Sequence, residues 1–268
     1  MAPSIDTLNG TSPVTSKADK FNPAQHIAYS PPESTLRMSD LGQPPTELSS
    51  VASTEPFPLL SHEAVLQHRR EIFSDDVLDN CLHHTRPGSV QIRGMAPRYA
   101  QFIHQFWHSP EILKIISDNA GVELIPAMDY EVSHANVQMG PDGLDGVRGT
   151  PVEPPEATPE AIAQFEKEKP SKAVTDQTKP IIEWHRDSHP FVCVVMLSDA
   201  RHMMGGETEL QKADGTTVKV KAPQMVCSLP IIYAIKIDKS RAAVSFYKAA
   251  TSRIRPHPPA TCLSELPS

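Results

Sequence analysis

The chain has 268 residues and a formal net charge of −7, a size that suits one large domain with tails and argues against two full domains. Its Lys and Arg residues are scattered rather than clustered, so the electrostatic footprint of a nucleic-acid binder is missing. The polar start MAPSIDTLNGTSP has no apolar signal core, no later apolar run reaches membrane-spanning length, and the four cysteines (Cys81, Cys193, Cys227, Cys262) show no paired spacing; a soluble cytoplasmic protein without a membrane partner, a disulfide framework or a zinc knuckle is expected.

Residues 1–55 are rich in Pro, Ser and Thr and have no sustained period, which predicts an extended arm wrapped over the domain or left disordered. Regular signals begin after it. Ser61 caps a predicted helix through HEAVLQHRREIF, Ser74 caps one through DDVLDNCLHH, and Ser109-Pro110-Glu111 opens a third that stops at Gly121. GVELIPAMDYEVSHANVQM alternates as two strands broken near Pro126, and IIEWHRD, FVCVVML, TELQKA and TTVKVKA follow as further strands. Residues 141–180, dense in Pro, Gly and charge, form an expected surface insertion, a candidate lid with one short helix near 159–167. Helices first and many short strands after them predict an α+β chain, with helices packed on a β-sandwich or jelly roll that occupies residues 56–225.

The stretch IIEWHRDSHPF carries the chemistry. On a strand, His185 and Asp187 leave the same face, and the triplet runs straight into FVCVVML, whose apolar character on both faces marks an interior strand. An H-x-D triplet arises by chance roughly once in a chain of this kind, and an ordinary hydrogen-bonded pair at a strand end needs the same two residues, so the flanks must decide. Glu183 shares the face of His185 and Asp187 and either borders a substrate or is a solvated strand residue; Trp184 points the other way, toward packing. His189, His202 and the pair His83-His84 lack such a setting and are expected on surfaces or loops.

The whole segment WHRDSHPFVCVVMLSDARHMMGGETEL, from Trp184 to Leu210, resembles the Fe(II)/2-oxoglutarate-dependent dioxygenases, and FNPAQHIAYSPPES and EILKIISDNAGVELIPAMDYEVSH are similar to fungal members of that group. The resemblance implies a double-stranded β-helix (jelly roll) and an iron bound by His185, Asp187 and a later histidine. It implies 2-oxoglutarate as co-substrate and a small organic molecule as substrate, in secondary-metabolite biosynthesis. Two neutral nitrogen donors and one carboxylate suit Fe(II) and leave three adjacent positions open.

The later histidine and a basic anchor for the keto acid are not evident in the translated text. His257 is the last histidine, and the prolines around it in RPHPPA argue against a central strand. Shifting the reading frame over Phe246–Pro256, so that each codon takes the wobble base of one residue and two bases of the next, permits L-Q-G-R-Y-I-T-H-Q-A, which resembles the strand-turn-strand that carries the family's distal histidine. Met225-Val226-Cys227 can be encoded with a 5′ splice signal, so an intron from Val226 into Arg241 would account for the shift. Residues 226–268 are therefore expected to be an atypical, mistranslated tail that closes the sheet poorly. If that tail is genuine, the expected alternative is a non-catalytic pseudoenzyme or accessory protein of the same fold.

Overall fold

The computed structural model describes residues 20–46, 48–86, 89–139, 142–153, 189–198, 208–220, 227–232 and 243–251. In chain order it has α1 (Pro23–His26), β1 (Thr35–Arg37), a 3₁₀ turn (Met38–Leu41), β2 (Val51–Thr54), β3 (Phe57–Pro58), α2 (His62–Ile72) and α3 (Asp75–Asn80). Next come β4 (Leu82–Arg86), β5 (Ser89–Ile92), α4 (Gln101–Trp107), α5 (Pro110–Ala120), β6 (Ile125–Pro126), a second 3₁₀ turn (Asp129–Glu131), β7 (His134–Gln138) and α6 (Gly143–Arg148). The remaining strands are β8 (Phe191–Val195), β9 (Thr208–Gln211), β10 (Thr217–Val220), β11 (Cys227–Ile232) and β12 (Ala243–Thr251).

The predicted caps form. The hydroxyls of Ser61, Ser74 and Ser109 accept the N–H groups of Ala64, Val77 and Ile112, each satisfying a first-turn donor that has no partner inside its helix. Gly121 ends α5 in the left-handed region at φ 70°, where a side chain would be strained. The helix expected through His84 instead stops at Asn80, because Leu82–Arg86 leaves to pair with β5 as an antiparallel strand. The strand pair expected around Pro126 reduces to the two-residue β6 and to β7, with the 3₁₀ turn between them. The helix expected near 159–167 lies outside the described residues, while the insertion opens on α6, which was not anticipated.

One sheet runs β1-β2-β11-β8-β12-β7-β5-β4, with β3 on β11 and β6 on β12, and β9 and β10 form a separate hairpin. Among the described residues the path is open, with β1 and β4 at its ends, so the chain is a mixture of helix and sheet without a closed barrel. Strand β8 is buried along its whole length. Phe191, Cys193 and Val195 join the main core beneath the helices, while Val192 and Val194 pack with Met38, Leu41, Ala52 and Leu210 on the other face. That two-sided burial is why FVCVVML reads as an unbroken apolar run.

Two segments outside the expected 56–225 domain take part in the sheet. From residue 20 onward the N-terminal segment is built into the fold: β2 pairs with β1 and β11, and all four of its residues are buried. Its own apolar residues cover the second face of β8, which a loose arm could not do. The tail also joins the sheet, since β11 pairs antiparallel and β12 parallel to β8, one on each side. Ala243–Thr251 contains no proline and keeps its row of backbone donors unbroken, whereas β11 lacks the donor at Pro230.

Arg69 of α2 is buried, and three of its hydrogen-bond acceptors are backbone carbonyls. Its guanidinium donates to Val152 O (2.6 Å), Pro151 O (2.6 Å) and Leu197 O (2.9 Å). One side chain thus ties the insertion near its start and the end of β8 to the same helix.

Candidate functional site

His185 and Asp187, with Glu183, Trp184, His202 and His257, lie outside the described residues. His189 is half-buried just ahead of β8, and His83 is exposed on β4, in line with its expected surface position. The structure therefore places the strand that the H-x-D motif leads into, flanked by β11 and β12, but not the motif itself.

Among the described residues, one group of donors is arranged as a metal-binding set: His104, His108 and Asp129. Helix α4 turns Phe102, Ile103, Phe106 and Trp107 into the core. His104 and His108, four apart at its C-terminal end, leave together on the other side. Their rings stack with centroids 4.0 Å apart at 27°. Nε2 of His104 lies 3.8 Å and Nε2 of His108 3.5 Å from the same Asp129 oxygen. The imidazoles are 31% and 29% exposed and the carboxylate 56%, so the site opens to solvent without being fully hydrated. Partial burial lowers the pKa of His104, the neighbouring His108 lowers it further, and Asp129 pulls the other way. The Nδ1 of His108 is 2.8 Å from the carbonyl oxygen of His104.

Both sides of the group rest on anchored elements. At the start of α4 the cap residue, Ala100, offers no side-chain acceptor, and the Glu71 carboxylate of α2 accepts Phe102 N–H (2.8 Å) and Ile103 N–H (2.9 Å) in its place. The 3₁₀ turn that carries Asp129 is held from the end of β5. Gly94 N–H donates to Tyr130 O at 3.0 Å, and the Tyr130 ring lies against Gly94, where a Cβ would come within 2.8 Å of it. Arg93 donates to Glu131 (3.3 Å) and to Nε2 of His134 (3.2 Å). Gly94, at φ 72°, meets both a conformational and a steric demand that other residues would not.

Sequence reasoning passed over this group. The spacing H-x-x-x-H in HQFWH, on a segment whose Phe102, Ile103, Phe106 and Trp107 mark a helix face, was a usable signal for the two histidines. Nothing local points to Asp129, which the fold brings up from a separate turn. Comparison with protein-family models, curated proteins and solved structures finds no match to the chain.

Proposed function

We propose that the chain encodes a non-haem Fe(II)/2-oxoglutarate-dependent dioxygenase that oxidises a small organic molecule, with His185 and Asp187 as two of its iron ligands and a jelly-roll sheet as its frame. The observation that carries this reading is the position of the motif. In the sequence H-x-D is followed, after three intervening residues, by β8, a strand buried on both faces between two neighbours, and then by the β9–β10 hairpin. A ligand pair this close in sequence to a buried strand is tethered to a rigid element.

Among the described residues, the strands beside β8 supply no third iron ligand. The strands on either side of β8, CSLPII and AVSFYKAAT, contain no histidine or carboxylate. Two protein ligands leave the facial set one short. Completion requires the histidine of the shifted frame. Because β11 and β12 already flank β8, the same observation favours a second reading, in which the 268-residue product is a folded, non-catalytic relative of the enzyme.

The test expresses the 268-residue chain and the frame-restored chain side by side, supplies Fe(II) and 2-oxoglutarate, and follows succinate. Turnover is expected only from the restored chain, and Asp187→Ala should abolish it. Equal turnover from both chains would reject the role given to the missing histidine. Full activity in Asp187→Ala would reject the ligand assignment.

A further inference from the structure

We propose that His104, His108 and Asp129 bind one divalent transition-metal ion of the class to which Zn²⁺ and Co²⁺ belong, at a site that uses neither His185 nor Asp187. Two imidazoles and one carboxylate form a borderline-soft donor set, matched to such ions rather than to Ca²⁺ or Mg²⁺, which take oxygen ligands. Tetrahedral coordination at the usual metal–nitrogen and metal–oxygen lengths separates ligand atoms by about 3.3–3.5 Å. The separations from the Asp129 oxygen are 3.5 Å and 3.8 Å, and all three donor atoms lie within 4.8 Å of one another.

Hydrogen bonding prepares one of the ligands. Nδ1–H of His108 donates to the carbonyl oxygen of His104 at 2.8 Å, which leaves the Nε2 lone pair of the neutral ring directed at Asp129. Two acceptors that face each other repel unless a proton or a metal cation sits between them. A backbone acceptor that fixes the outer nitrogen is how metal-bound histidines are commonly oriented. The stacked rings bring the second Nε2 to the same carboxylate oxygen, so all three donors converge.

The site is anchored at both ends, by Glu71 under α4 and by Arg93 and Gly94 under the 3₁₀ turn. Three protein ligands leave one coordination position to water. Bound metal would clip the turn Asp129–Glu131 to the end of α4, two elements joined here through these three side chains.

The experiment uses the full chain carrying His185→Ala and Asp187→Ala, so that the H-x-D pair contributes nothing, and titrates Co²⁺ alone by absorption and Zn²⁺ alone by calorimetry and thermal melting. One ion per chain, a Co²⁺ spectrum of mixed nitrogen and oxygen ligation, and a melting temperature that rises with Zn²⁺ are expected. His104→Ala, His108→Ala and Asp129→Asn should each weaken binding by about tenfold or more, while Asp129→Glu should retain most of it. If an alanine variant fails to fold by circular dichroism, His104→Asn and His108→Asn, both at half-exposed positions, take its place. Unchanged affinity and stoichiometry in the folded His104/His108 double variant, or no binding by the parent chain at a several-fold excess of metal, would overturn the proposal.

Discussion

Glu71 on α2 accepts the backbone N–H of Phe102 on α4 at 2.8 Å, and its other carboxylate oxygen takes Ile103 N–H at 2.9 Å. A carboxylate thus sits at the positive end of a helix whose own cap residue, Ala100, has no side chain for the purpose. Burial raises the pKa of Glu71 although these N–H bonds oppose the shift, so the carboxylate is held where water would otherwise be preferred. Glu71→Ala leaves both donors without a partner and should cost about 2–3 kcal/mol in urea unfolding. Glu71→Gln keeps one acceptor and avoids burying a charge, and should cost less. Equal losses in the two variants would show that the isosteric amide supplies no effective acceptor and that both carboxylate oxygens are needed.

His68 lies on the same helix, buried, with Nδ1–H donating to Ala64 O at 2.7 Å and the rings of Phe102 and Phe106 edge-on 5.5 Å and 4.9 Å away. Burial is the largest cause that brings its pKa down to about 4, His26 adds to the drop, and the bond to Ala64 opposes it. Between pH 6.5 and 4 the unfolded chain takes up a proton here that the folded chain refuses, so stability falls as pH falls through that window and is fully present above it. The loss at pH 4 from this group is about 3 kcal/mol. Glu71 titrates in the opposite sense, so the measurement that isolates His68 is the difference between the parent and His68→Phe. Urea unfolding at pH 7 and pH 4.5 should show a steeper decline in the parent, and parallel declines would count against it.

Much of the fold was legible wherever one residue type answers one local demand. Ser61, Ser74 and Ser109 each precede a helix because each supplies an acceptor to a first-turn N–H, and Gly121 ends α5 because it tolerates positive φ. The apolar run at Phe191–Val195 announced an interior strand because both of its faces meet apolar clusters. The rest depends on tertiary pairing that no local pattern encodes. Leu82–Arg86 lies at the end of a helical pattern but becomes a strand because β5 is there to pair with it. Asp129 enters the His104–His108 group only because Gly94 and Arg93 hold its turn in place.

Arg69 gives a test of how the insertion and β8 are tied together. Its guanidinium donates to three backbone carbonyls, Pro151, Val152 and Leu197, and burial lowers its pKa with partial compensation from Glu153. Arg69→Met fills the space but leaves those carbonyls unsatisfied, and should cost about 3 kcal/mol or more. Arg69→Lys restores the charge without the planar fork and should recover only part of the loss. Limited proteolysis should show faster cleavage after residue 150 in Arg69→Met. An unchanged cleavage pattern together with a normal unfolding midpoint would mean that the three bonds do not anchor this segment.

The tail yields the last prediction, which concerns the message rather than the protein. In the translated frame, Cys227–Ile232 and Ala243–Thr251 flank β8 and supply neither a histidine nor a carboxylate. In the shifted frame, codons compatible with Phe246 and Tyr247 must read Leu and then Gln or stop, and those compatible with the residues up to Pro256 allow G-R-Y-I-T-H-Q-A. That peptide contains a histidine, the residue type that the proposed iron site lacks. Removal of the segment from Val226 into Arg241 joins Met225 to this frame, so the mature transcript is expected to lack the segment. Sequencing across codons 225 to 241 decides the matter. A dominant message that retains the segment would make the strands Cys227–Ile232 and Ala243–Thr251 the true partners of β8 and would favour the non-catalytic reading. Loss of the segment would replace both strands and restore a third ligand, and the frame-restored chain should then bind one Fe(II) with an affinity that falls in His185→Ala and in Asp187→Ala.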